Sequence, residues 1–162
     1  MVPSVLAIDA LDAGIDILAL TDHNSARNLP AFAEACEIVG ITGVYGLEVT
    51  TIEEVHVLAL FEHLQDALEF GELIEFLLPD IHNVPQLFGD QLIVDLTGEV
   101  VAELEKSLFG AADISFENII EEVLARDGLA IPAHIDRPSN SVYSNLGFLP
   151  ELRYSADRKS VV

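Results

Sequence analysis

The sequence predicts an α/β domain with a mainly parallel sheet or barrel. Helical and strand patterns alternate along most of the chain, several short strand candidates are apolar on both faces, and two of them run into polar clusters. The 162 residues are one domain's worth of chain, read as a single domain over 1–162. Its 51% hydrophobic content and mean hydropathy of +0.40 supply a core and exclude disorder for the bulk.

Residues 2–13 read as a helix with Pro3 in its first turn, Val5, Leu6, Ile8 and Leu11 as its apolar residues, and Gly14 as its stop. Residues 15–21 (IDILALT) read as a strand buried on both faces that ends in Asp22-His23-Asn24-Ser25. Pro30 opens a helix over 30–39 that buries Ala31, Phe32, Ala35 and Ile38 and stops at Gly40; Cys36 falls within it as a core residue. Residues 43–50 (GVYGLEVT) and 55–61 (VHVLALF) are strands. The link between them is too short for a parallel crossover and predicts a hairpin.

A helix over 64–78 places Leu64, Leu68, Leu73, Ile74 and Leu77 inside and is stopped by Pro79. The chain is irregular from 81 to 91, and 91–104 reads as a hairpin turning at Thr97-Gly98. Ser115 caps a helix over 116–127 with Phe116, Ile119, Ile120 and Val123 at helical spacing, closed by Gly128. A strand over 129–133 delivers His134, a loop with a short helix occupies 135–150, and 151–156 reads as a further strand. Closed barrels of this class take about 200 residues or more, so the chain is expected to form part of one.

The charge balance narrows the partners. Asp and Glu number 28 against 7 Lys and Arg, a net charge of −21. Nucleic acid is therefore an unfavoured partner, because backbone binding draws on clustered cations. No segment approaches the roughly 18 apolar residues of a membrane span, and Asp9 and Asp12 interrupt any signal-peptide core, which makes a cytoplasmic location the expectation. A single cysteine rules out an intrachain disulfide and a thiolate zinc cluster, leaving His and carboxylates as metal ligands.

Of the five histidines, His23 and His134 follow strands, at the edge where α/β folds place their sites. Glu48 also ends a strand, and His56 begins the next. In the proposed hairpin these two share one sheet edge, so four side chains can converge as three imidazoles and a carboxylate, a donor set that suits zinc, manganese or iron. Each also has a plainer reading: His23 as a loop residue, Glu48 at the surface, His56 as a satisfied core histidine. Asp22 is a candidate for orienting His23 from behind. His63 and His82 read as solvent-facing. Arg27 and Arg137 follow His23 and His134 closely and are candidates for holding phosphate, although for Arg27, at a helix start, balancing nearby acids is the stronger reading, and for Arg137 the two readings are even.

The segments ALTDHNSARN, GLEVTTIEEVHVLALF and LAIPAHIDRPSNSVYSNLGFLP together resemble the PHP family, the polymerase and histidinol phosphatase superfamily of metal-dependent phosphoesterases. The likeness runs from Val2 to Ala156. It implies a distorted seven-stranded (β/α) barrel holding two or three metal ions, with a bridging hydroxide that attacks a phosphoester. By position in the motifs the resemblance gives metal ligation to His23, Glu48, His56 and His134, Glu48 bridging, and makes phosphate contact plausible at Arg137. The substrate expected is a small phosphorylated metabolite or nucleotide.

Two family features are missing: an opening strand with an HxH pair and a late DxH pair. Met1-Val2-Pro3 resembles the stretch just downstream of the HxH, and the chain is expected to be a barrel lacking pieces at both ends. Four remaining ligands favour one weak metal site over two full ones. The alternative function is a non-catalytic PHP-like domain that binds one metal or none and serves structure or partner contact. An exposed barrel edge would then favour self-association.

Overall fold

The structure is a computed structural model that describes residues 2–156. Its order is α1 (Pro3–Asp12), β1 (Ile17–His23), α2 (Leu29–Val39), β2 (Thr42–Thr50), β3 (His56–Phe61), α3 (Leu64–Leu77), α4 (Pro85–Phe88), β4 (Leu92–Val94), β5 (Val100–Glu103), α5 (Phe116–Leu124), β6 (Leu129–Pro132) and α6 (Val142–Asn145). The class is mixed α/β.

The main sheet has four strands in the order β1-β2-β3-β6. β1 and β2 pair in parallel, as the intervening α2 crossover requires, whereas β2–β3 and β3–β6 pair antiparallel. The β2–β3 pairing is the hairpin that the short link predicts, and β3–β6 is the pairing that departs from the expected mainly parallel pattern. The reason is the tight 51–54 link: Thr51 and Val55 bond across it through Thr51 N to Val55 O (3.0 Å) and Val55 N to Thr51 Oγ1 (3.3 Å), with Glu54 left-handed at φ 58°. This reverses β3 alone. Among the described residues the sheet stays open, with β1 and β6 at its edges.

The core lies between this sheet and α2, α3 and α5, where Phe32, Phe70, Ile119 and Ile120 are buried. α2 starts with Pro30 in its first turn and ends at Gly40, left-handed at φ 83°. Ser115 Oγ accepts from Asn118 N to cap α5, as predicted, and Glu53 Oε2 accepts from Phe116 N at the same end. Gly46 in β2 is required by close approach: a Cβ there would lie 2.3 Å from the carbonyl oxygen of Ala59 on β3.

Several faces differ from expectation. α1 buries Pro3, Ala7 and Ala10 and leaves Val5, Ile8 and Leu11 about half exposed, because its small-residue side is the one that packs. Ile38 of α2 is exposed and Cys36 takes its place in the core. β1 is exposed at Ile17 and Ala19, since an edge strand has cover on fewer sides. In α3 the buried residues are Ala67, Phe70, Gly71 and Ile74, with the predicted leucines partly buried. Residues 151–156 form no strand; Ser155 N bonds Ala130 O beside β6 without continuing a ladder.

Residues 80–110 form an excursion from the sheet that carries α4 and the predicted hairpin, β4–β5. Gln91 ties its base together: Nε2 donates to Leu104 O (3.0 Å) and Lys106 O (2.8 Å), and Oε1 accepts from Leu108 N (2.8 Å). No helix among the described residues is long and apolar enough to cross a membrane.

Candidate metal centre

Strand register brings the site together. His23, the last residue of β1, pairs with Glu48 of β2 in the parallel ladder, so both side chains fall on one face. Across the hairpin Glu48 opposes Leu58, and His56 lies two residues from Leu58 on the same face, diagonal to Glu48. β6 ends at Pro132, Ala133 N bonds His56 O (2.9 Å), and His134 follows in a left-handed conformation at φ 29°. That conformation is strained for a histidine and turns the ring onto the cluster.

The four side chains meet at contact distance. Glu48 Oε1 lies 3.5 Å from His56 Nδ1 and 3.4 Å from His134 Nε2, while Oε2 lies 3.6 Å from His23 Nε2. His56 Nδ1 and His134 Nε2 are 3.2 Å apart. The carboxylate thus divides the cluster, with one oxygen toward His56 and His134 and the other toward His23. Ligand atoms of His23, Glu48 and His56 all lie within 4.8 Å of one another, and His134 joins from the far side of His56.

The donor chemistry fits a metal ion. Two donors held at about 2.0–2.1 Å by a tetrahedral zinc stand about 3.3 Å apart, close to the separations found here. Nitrogens facing each other at that spacing are poorly matched as a hydrogen-bonded pair unless one carries a proton. Electrostatics favour the ligand forms of Glu48 and His134. Burial pushes the Glu48 carboxyl up, but the hydrogen bond from His56 and the charges of the three imidazoles outweigh it and hold it below the usual carboxylate range. Burial pushes the His134 imidazole down, His56 and Arg137 add to this, and Glu48 opposes them.

Two asparagines support the cluster and were not singled out from the sequence. Asn140, left-handed at φ 55°, accepts from His56 N through its backbone oxygen (3.2 Å), and its side-chain amide lies 3.0 Å from His56 Nε2. Asn24, fully buried at φ 51°, bonds Glu48 O through its backbone N–H (3.1 Å) and accepts from Thr50 N (2.9 Å). Its amide donates to Leu108 O (2.8 Å) and Gly110 O (3.0 Å). The left-handed tolerance of Asn was the only available sequence signal.

Other candidates fall elsewhere. Asp22 does not back His23; it accepts from Asn28 Nδ2 at 3.3 Å. Arg27 is committed to Glu75 of α3 through Nε (2.9 Å) and Nη2 (2.6 Å), an ion pair 48 residues distant in sequence, and does not line the cleft at the site. Arg137 is exposed one turn after His134, its N–H bonded to His134 O (3.0 Å). His63 and His82 are exposed, as expected. A cleft of about 660 Å³ opens beside the cluster, lined by His23 and His56 and by residues of the 80–110 excursion.

Solved structures share this fold. A protein from Bifidobacterium adolescentis described as a metal-dependent phosphoesterase matches with a TM-score of 0.60 and 18% identity, over 84% of this chain and 62% of that one. The lesion-specific endonuclease EndoQ of Pyrococcus furiosus matches with a TM-score of 0.56 and 20% identity, over 86% and 31%. Endonuclease Q bound to a 27-mer duplex with an abasic lesion at its active site also scores 0.56, at 18% identity and the same coverage. The chain spans less than two thirds of each. At these identities the likeness is one of fold, and it agrees with the PHP resemblance of the motifs. No protein-family model and no curated protein matches the chain.

Proposed function

We propose that the chain carries part of the metal centre of a PHP-type phosphoesterase that hydrolyses a small phosphomonoester, with zinc, manganese or iron held by His23, Glu48, His56 and His134. The observation that carries this reading is the approach of five donor atoms on four side chains, at or near strand ends, to 3.2–3.6 Å of a neighbour, with no thiolate and no lysine among them. A bound metal supplies a Lewis acid for the phosphoryl group and a water acidic enough to attack it near neutral pH. The ionised Glu48 bridges both halves of the cluster, Asn140 fixes the His56 ring, and Arg137 meets phosphoryl charge beside His134. The reaction is addition of water at phosphorus and loss of the ester alcohol.

A small substrate is supported by the net charge of −21 and by the absence of Lys and Arg, among the described residues, from the cleft lining. The duplex-bound protein acts on DNA, but the described lining of this cleft offers a phosphate backbone no Lys or Arg.

The test is elemental analysis of protein purified without chelator, set against a His23→Ala, Glu48→Ala double variant. About one equivalent of transition metal, lost in the variant while folding is kept, is the expected result. Metal-free wild-type protein that also fails to take up added zinc would overturn the reading.

A further inference from the structure

The cleft that reaches His23 and His56 is also lined by residues of different chemistry. Phe88 and Phe109 of the excursion line it, their rings 4.7 Å apart between centroids and tilted by 33°. They are 49% and 62% exposed, so an aromatic pair that would ordinarily be drawn into a core is held out against the cleft.

The wall is fastened in place. The Asn24 amide bonds the carbonyls of Leu108 and Gly110, the two residues that bracket Phe109, and Gln91 bonds Leu108 N. Asn24 directly follows His23, so one short segment fixes both a candidate ligand and the aromatic wall.

Charge decides what this wall can take. Among the described residues, the charged ones of the lining, other than the histidines, are Asp22, Glu54 and Asp90. A ligand with several phosphates would find only repulsion along it, whereas a flat uncharged body would find rings to stack on. The volume of about 660 Å³ lies within the range of small-molecule pockets and exceeds what a bare phosphate fills.

We propose that Phe88 and Phe109 form a subsite for the planar ring of an aromatic phosphomonoester whose phosphoryl group lies at the histidine and Glu48 cluster. This rests on the phosphoesterase reading for the phosphoryl end. The ring end stands on the wall alone.

The experiment compares phenyl phosphate with glycerol 2-phosphate by NMR titration of zinc-equilibrated protein. It is repeated for Phe88→Ala and Phe109→Ala, both at exposed positions. Phenyl phosphate is expected to bind on the order of tenfold more tightly, a preference lost in Phe109→Ala. Equal affinities, or a preference that survives in both variants, overturn the proposal, as does preferential binding of a DNA duplex. Phenol added to the metal-free protein separates the two readings by saturation transfer. A signal in wild type that is lost in Phe109→Ala upholds the ring subsite even if neither phosphate binds, and the metal-centred reading then falls alone. Absence of signal together with absence of phosphate binding overturns both.

Discussion

Asn140 holds His56 at two points, by a backbone bond of 3.2 Å and by its amide 3.0 Å from Nε2. The amide nitrogen of Asn140 is the atom that faces Nε2, so a neutral His56 that offers Nδ1 to a metal, with its proton on Nε2, requires the amide turned to present its oxygen as the acceptor. Asn140→Gly removes the amide at φ 55° without backbone strain, and zinc affinity is expected to fall about 10–100-fold. Asn140→Asp keeps an acceptor and should retain most of it. A chelator-dye competition reads both; equal affinities in the glycine variant and wild type would remove Asn140 from the site.

The two arginines separate cleanly. Arg27→Ala breaks an exposed ion pair with Glu75, costs about 0–1 kcal/mol of stability and leaves phosphate affinity where it was. Arg137→Ala is expected to weaken inorganic phosphate binding to the zinc-loaded protein several-fold, the loss of one charge-assisted contact. Calorimetric titration of both variants checks this, and a larger effect at Arg27 would reverse the assignment.

Acid should destabilise the metal-free protein through His134. Its folded pKa is depressed from 6.5, first by burial, so above about pH 6.5 the folded and unfolded chains bind equal protons there. Below that, the unfolded chain takes up a proton the folded one resists, and stability is lost. Glu48, also depressed, adds a loss that begins below about pH 4.5. The relief of acidic repulsion acts in the opposite direction, so urea midpoints are compared with those of His134→Gln at each pH. Wild type is expected to lose ground to the variant between pH 7.5 and 5.5; a constant difference would show that His134 does not titrate abnormally.

Gly46→Ala puts a methyl against the Ala59 carbonyl oxygen at 2.3 Å and against Leu60 Cδ2 at 2.7 Å. The β2–β3 spacing has to widen, at a cost of about 1–3 kcal/mol. Because Glu48 lies two residues on, zinc affinity should fall along with the urea midpoint. A variant as stable as wild type would mean that the strands part freely at this point.

What the sequence disclosed was local. The hairpin over 43–61, the Ser115 cap and the strand ends at His23 and Glu48 follow from patterns only a few residues long, and they position most of the cluster. Long-range partners were not legible. Asn24 serves segments 84 and 86 residues away, Asn140 reaches a ring 84 residues back, and the Glu75 that claims Arg27 is 48 residues off. Helix faces failed for a related reason. Apolar residues at helical spacing mark a face that could be buried, but only the packing of α1 and α2 decides that Ala7 goes inside while Ile8 and Ile38 stay out; Cys36 is buried as its place in the Ala-rich helix predicts.

The reversal at residues 51–54 also sets an order of assembly. Glu48 and His56 stand eight positions apart (56 − 48) on one hairpin, whereas His134 meets His56 across 78 residues. Loop closure grows with the logarithm of length, so the longer closure costs about 2 kcal/mol more. The carboxylate and its first imidazole can therefore come together while the chain is still largely unfolded, and the third histidine arrives only when β6 docks. A metal present during synthesis would meet a half-built binding site at the start of folding, and its capture would favour the register that the finished sheet needs.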